Sequence, residues 1–252
     1  MRRANREKRG ASRRDRRNAL PKQSGFGIGL GTISAIAGIG GVALIAILLI
    51  TQPRPASMAP AASPSPVVVA AVPAALERDG LTLGRADAPV RIDVFEDFQC
   101  PACLHWGRTV FPDLAAGELR DGRAKLVFHG YAFIGPESRD AERAAWAAAR
   151  QDRFWDMWST LYANQGPIEN GGAFTRDRLV AMAGAIGLDG VRFERDLDSA
   201  ESASAVAAGA SAAQAAGISS TPTVVVNGRA VAGGTYADLS AAIQRAAGAP
   251  AP

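Results

Sequence analysis

Cysteine and histidine are scarce: the chain has two of each in 252 residues. A structural zinc site needs four ligands, and Cys100, Cys103, His105 and His129 are all the thiol and imidazole groups available. On one helix Cys103 and His105 would point about 200° apart, so no metal site is expected. Covalent haem needs C-x-x-C-H, but Leu104 follows the pair and His105 comes one place late. A disulfide kept only for stability fits poorly too, because closing a two-residue loop restricts the unfolded chain very little. No cysteine stands shortly after the apolar run near the N-terminus, so a lipid-modified N-terminal cysteine is not expected. There is no internal repeat.

Charge is missing altogether from Phe26 to Ile50. Ahead of that gap, residues 1–25 carry ten Lys and Arg against Glu7 and Asp15, a local charge of +8. The whole chain is +4, so everything after residue 25 is −4. The basic balance therefore belongs to a tail and gives no argument for nucleic-acid binding by the rest. As a helix the uncharged run would measure about 37 Å, enough to cross a bilayer. Its glycines (Gly27, Gly29, Gly31, Gly38, Gly40 and Gly41) are common in such spans. The basic flank predicts a cytoplasmic tail (1–25), a single-pass anchor in the cell membrane (26–50) and a C-terminal part outside. A cleaved signal peptide is the alternative, although its apolar core is usually only about 7–15 residues. Residues 51–76 are rich in Pro and Ala and read as an extended tether reaching roughly 80 Å.

The remainder, 77–252, has the size of one α/β domain. Val90–Phe95 reads as a strand, and Pro101–Leu119 as a helix with a bend or break near Pro112. Ala124–Phe128 is a second strand, and Arg139–Ala163 reads as two helices around Asp152. Helices follow at Thr175–Ile186 and Val191–Ala216. Thr223–Val226 and Ala230–Val231 flank Asn227-Gly228, a strong two-residue hairpin signal. Tyr236–Ala247 closes the chain as a helix.

Both cysteines fall in Phe95-Glu96-Asp97-Phe98-Gln99-Cys100-Pro101-Ala102-Cys103, where a strand gives way to a helix. Pro101 suits the first helical position, where its missing N–H is no loss. Cys100 is then the N-cap, with the free N–H groups of Ala102 and Cys103 directed at its sulfur and the positive end of the helix dipole favouring an anion there. A thiol so placed ionises readily, and the thiolate is the attacking species. Cys103 shares a helix face with Gly107, Val110 and Leu114, which should pack inward. The expectation is an exposed nucleophile, Cys100, beside a shielded partner, Cys103, and redox chemistry fits this pattern best.

At this point the domain resembles the DsbA-like members of the thioredoxin superfamily. Asp87-Ala88-Pro89-Val90 with the cysteine motif is similar to that family's first strand and active site. Phe154-Trp155-Asp156-Met157, with Leu161, Asn164 and Gln165, resembles its helical insertion, here about 138–216. Gly217-Ile218-Ser219-Ser220-Thr221-Pro222-Thr223 with Asn227-Gly228 resembles its cis-proline loop and hairpin. The resemblance implies a thioredoxin fold, a central mixed sheet with flanking helices and the insertion. It implies that Pro222 is cis and lies against the cysteines, that Thr221 offers backbone groups to a substrate chain, and that Pro101 and Ala102 tune the redox poise. It departs in one place: the family often has an acidic residue six positions before the first cysteine to handle the second cysteine's proton, and here that residue is Val94. Glu96 and Asp97 are the nearby acids.

Among other residues, His105 is expected on the helix surface and His129 in a structural role. Trp106 is expected either to line a groove or to pack, and Trp146, Trp155 and Trp158 to fill the insertion's core. Arg192, Glu194, Arg195 and Asp196 should form a solvated helix face. The function expected is a membrane-anchored, extracytoplasmic thiol-disulfide oxidoreductase that introduces disulfides into exported proteins and is reoxidised by a membrane partner. No cofactor is implied. The same atoms run backwards make a reductase, and a related cycle an isomerase; the rival from another class is a peptide-binding module without turnover.

Overall fold

The computed structural model describes residues 72–248. The expected tail, span and most of the tether lie outside these residues, and among the described ones no helix is long and apolar enough to cross a membrane. The tether's last residues are not free: Val72 and Leu76 are buried in the main core, and the Leu76 N–H closes a turn on the Pro73 carbonyl.

Six strands form one mixed sheet in the order β1-β2-β4-β3-β5-β6. Its centre is β3 (Val90–Glu96), parallel to β4 (Ala124–Gly130) and antiparallel to β5 (Thr223–Val226). The outer strands β1 (Arg78–Asp79), β2 (Thr82–Leu83) and β6 (Arg229–Ala230) have two residues each, too few to show any periodicity in the sequence. Strand alternation sorts the two faces. Val90, Ile92, Val94, Leu126, Phe128 and Val226 point into the main core. Phe95 points to the other face, where it packs with Tyr131 and Ala213.

The helix after β3 breaks near Pro112, as its sequence suggests. α1 (Pro101–Thr109) ends at Val110, α2 (Phe111–Leu114) follows with Pro112 in its first turn, and Ala115–Leu119 is a π-helical turn. The break falls before Pro112 because proline suits the start of the second helix, where no backbone donor is needed.

Between β4 and β5 the chain is helical: α3 (Pro136–Ala149), α4 (Phe154–Ala163), α5 (Arg176–Ala185), α6 (Gly190–Leu197) and α7 (Ala200–Ala215). α3 and α4 are separated around Asp152, whose φ of 58° no helix continues. The expected single helix 191–216 is two, because the Ser199 hydroxyl accepts from the Ser202 N–H and caps a new start. Asp196 also departs from expectation: it is buried and pairs with Arg195 rather than lying on a solvated face. Asn227 and Gly228, with φ of 45° and 80°, make the tight turn between β5 and β6. Asn227 also bonds both backbone groups of Arg91, which ties the hairpin to β3. α8 (Tyr236–Ala247) starts with a capping box between Thr235 and Asp238.

Candidate active site

The two cysteines sit where β3 turns into α1. Asp97 holds this turn. Its carboxylate accepts from the Gln99 N–H at 2.8 Å, the Ser138 hydroxyl at 2.7 Å, and the N–H groups of Phe133 and Ile134 at 3.0 and 3.1 Å. Its carbonyl accepts from the Cys100 N–H at 3.0 Å. Gln99 is turned into the protein, donating to Ser138 Oγ at 2.8 Å and Asn170 Oδ1 at 3.2 Å. Cys100 has the extended backbone of an N-cap, and Pro101 opens the helix.

Both cysteines are free thiols with very different surroundings. Cys103 is wholly buried, as its helix face requires, while Cys100 is 8% exposed. That corrects the expectation of an exposed thiol. The Thr221-Pro222 loop covers it, and its Sγ–H donates to the Thr221 carbonyl at 3.3 Å. The Cys100 thiol is pulled down to about 6 by its hydrogen bond with Cys103, against the cost of burial. Thr221 and the N–H groups of Cys103 and Ala102 act in the same direction, although the sulfur makes no full capping hydrogen bond. While the thiol keeps its proton, the buried Thr221 hydroxyl has no partner; once the sulfur is an anion, it can accept from that hydroxyl. Burial pushes the Cys103 thiol far up, helped by Cys100 and by the nearby Glu96 carboxyl. One sulfur therefore ionises near neutral pH while the other keeps its proton.

Val94, at the place where an acid is often found, is buried in the core. Glu96 is two residues further along the same strand and so on the same face. It is 1% exposed. Its Oε2 accepts from Trp158 Nε1 at 2.8 Å, and its Oε1 has no partner. Burial pushes this carboxyl up to about 8, against the hydrogen bond from Trp158. Of the two acids near the motif, Asp97 is a structural clamp and Glu96 is the one that interacts electrostatically with both sulfurs. Strand parity was the signal available in the sequence; Trp158 and Tyr162 as neighbours of the site had none.

The Thr221-Pro222 peptide is cis, as the resemblance implied. Beside it lies a cavity of about 230 Å³, lined by Trp106, Pro222, Val224, Val231 and Leu239 among others. Trp106 both packs, at 4% exposure, and lines this cavity. His105 is exposed. His129 bonds Asp93 at 2.6 Å and stacks on Phe95. Trp155 and Trp158 are buried, as expected.

The thioredoxin family matches residues 77–245. The probable disulfide bond formation protein D of Bacillus cereus is 33% identical over 151 residues, covering 58% of this chain and 69% of that protein. Crystalline BdbD from Bacillus subtilis, in its oxidised form, superposes with a TM-score of 0.63 at 26% identity, over 67% of this chain and 93% of the other. A thioredoxin-like oxidoreductase from Silicibacter pomeroyi gives 0.57 at 27% identity, over 69% and 99%.

Proposed function

The chain belongs to the thioredoxin family as a DsbA-like thiol-disulfide oxidoreductase, and we propose that it works as an oxidant, with Cys100 and Cys103 as the redox pair. The observation that carries the direction is the asymmetry of the two sulfurs: Cys100, at a helix N-terminus under the Thr221-Pro222 loop, is held as an anion more easily than a free thiol. Stabilising the thiolate stabilises the reduced form, and a stabilised reduced form makes the disulfide a stronger oxidant.

The cycle starts from the Cys100–Cys103 disulfide. A substrate thiolate attacks Cys100 Sγ, the Cys100–Cys103 bond breaks, and Cys103 leaves with the electron pair. Glu96, a carboxylic acid at neutral pH, supplies the proton that makes Cys103 a thiol. A second substrate thiolate attacks the substrate sulfur of the mixed disulfide and expels Cys100 as thiolate. Two electrons pass from the substrate to the protein, and a membrane redox partner takes them away. Thr221 and Pro222 hold the substrate chain, while Pro101 and Ala102 keep the helix start that tunes Cys100.

The uncharged run 26–50 and its basic flank support anchoring in the cell membrane, with the tail 1–25 in the cytoplasm, a tether up to the folded domain, and the catalytic domain outside. The relatives named for disulfide bond formation support protein thiols as the substrates, and a catalytic domain outside the membrane makes those the thiols of exported proteins.

The test is the reduction potential of the full chain equilibrated against glutathione. A value well above about −300 mV, where structural disulfides lie, supports the oxidant. A strongly reducing value makes the chain a reductase supplied with electrons, and failure to form the disulfide leaves only a peptide-binding module.

A further inference from the structure

Three side chains from α4 and the residues just after it meet the β3–α1 turn. Trp158 and Tyr162 lie four residues apart on one face of α4, and Gln165 follows just beyond the helix's C-cap residue, Asn164. Trp158 bonds the Glu96 carboxyl. The Tyr162 hydroxyl lies 3.4 Å from the Asp97 carbonyl. Gln165 Nε2 lies 2.8 Å from the Phe98 carbonyl and 3.1 Å from the Cys100 carbonyl. The three contacts thus follow residues 96–100 in order, and Gln165 is the one that reaches Cys100.

Gln165 commits both hydrogens of one amide group to the carbonyls on either side of Gln99. The Cys100 carbonyl is also the first acceptor of α1, taking the Leu104 N–H at 3.2 Å. Gln165 therefore grips the peptide from which α1 starts without touching either sulfur. The influence of a helix terminus fades within its first turn, so the stabilisation of an anion at Cys100 depends on how the N–H groups of Ala102 and Cys103 are aimed.

We propose that Gln165 is a positioning residue for Cys100: by holding the Phe98 and Cys100 carbonyls it fixes how α1 leaves β3 and so aims the start of that helix at the reactive sulfur. This makes the redox poise of the cysteine pair depend on a residue of the helical segment 65 positions away. The inference rests on the oxidoreductase reading for its meaning, but its measurements do not require turnover.

The test uses Gln165→Leu in the full chain, which removes both donors. The Cys100 thiol then titrates about one pH unit higher. The equilibrium constant against glutathione moves about tenfold, or about 30 mV, toward the reducing side. A purely structural residue would lower the melting temperature and leave titration and potential unchanged, and that result overturns the proposal. Should Gln165→Leu fail to fold, the wild-type chain answers instead: the Gln165 side-chain amide, followed by ¹⁵N NMR in the reduced protein, shifts with an inflection at the Cys100 titration. A freely exchanging amide without that inflection overturns it. A wild-type chain that forms no disulfide would sink the oxidoreductase reading, whereas a normal disulfide with Gln165→Leu behaving as wild type sinks only this inference.

Discussion

Trp158 reaches from α4 to the sheet and donates its Nε1 hydrogen to the Glu96 carboxyl at 2.8 Å. The bond satisfies one oxygen of a carboxyl in the core and leaves the other free. A buried acid with one partner favours its protonated form, and this carboxyl is pushed up to about 8. It is the nearby group suited to giving Cys103 a proton when the disulfide opens and taking one when the disulfide re-forms.

Glu96→Gln keeps the bond to Trp158 and removes the titration. Opening and closing of the disulfide should slow by roughly a hundredfold, the lower end of the range of general acid–base assistance. Stopped-flow quenching or release of tryptophan fluorescence would measure it, and an unchanged rate at neutral pH rules Glu96 out.

The same substitution has a signature in stability. Between its ordinary 4.5 and the folded value of about 8, Glu96 keeps its proton in the native state and loses it in the unfolded one. Its contribution is fully present below 4.5 and is lost as pH rises toward 8. The substituted protein should therefore gain on wild type across that window, by about 2–5 kcal/mol at its upper end. Denaturant unfolding of the reduced protein at pH 5 and pH 8.5 checks the sign; a gain no larger at pH 8.5 than at pH 5 contradicts it.

Alkylation should report the two sulfurs separately. Cys100 should react with iodoacetamide along a pH profile centred near 6, while native Cys103, with no exposed surface, stays unlabelled. Mass spectrometry after brief labelling distinguishes the sites, and labelling of Cys103 at a comparable rate would refute the asymmetry.

Thr221→Val removes a buried hydroxyl that has no partner while Cys100 is protonated but helps to lower its titration. The variant should fold normally, and its Cys100 should titrate about one pH unit higher. Thiolate absorbance at 240 nm measures this directly. An unmoved titration would show that the Thr221 hydroxyl does not stabilise the thiolate.

The parts of the site legible in the sequence are those whose chemistry is local. Pro101 marks a helix start, Asn227-Gly228 marks a turn, and the positions of Cys100 and Cys103 follow from them. Glu96 was half legible: alternation places it on the face of Val94, but only packing shows that Asp97 is occupied elsewhere. Trp158 is 62 residues from its partner Glu96, and no local rule connects them. The helix break at Ser199 and the burial of Asp196 are not legible as such because the run of helix formers and charges reads as one solvated helix, while one hydroxyl and one ion pair decide the local structure.

The redox state itself should change stability in the direction opposite to a structural disulfide. A loop of two residues restricts the unfolded chain very little, so oxidation adds little stability through chain entropy. Reduction adds a favourable ionisation: Cys100 falls from its ordinary 9 to about 6 in the folded protein. Its contribution is complete above the unfolded value and is lost as pH falls through 6. Glu96 changes stability with pH the other way and interacts with both sulfurs, so the comparison is made in the Glu96→Gln background, where that titration is removed. The reduced protein should be the more stable form at pH 7.5, and its advantage should shrink at pH 4.5. Parallel urea titrations of both forms at the two pH values measure this. If the oxidised form is the more stable at pH 7.5, the folded protein does not favour the thiolate, and the argument for an oxidant loses its energetic basis.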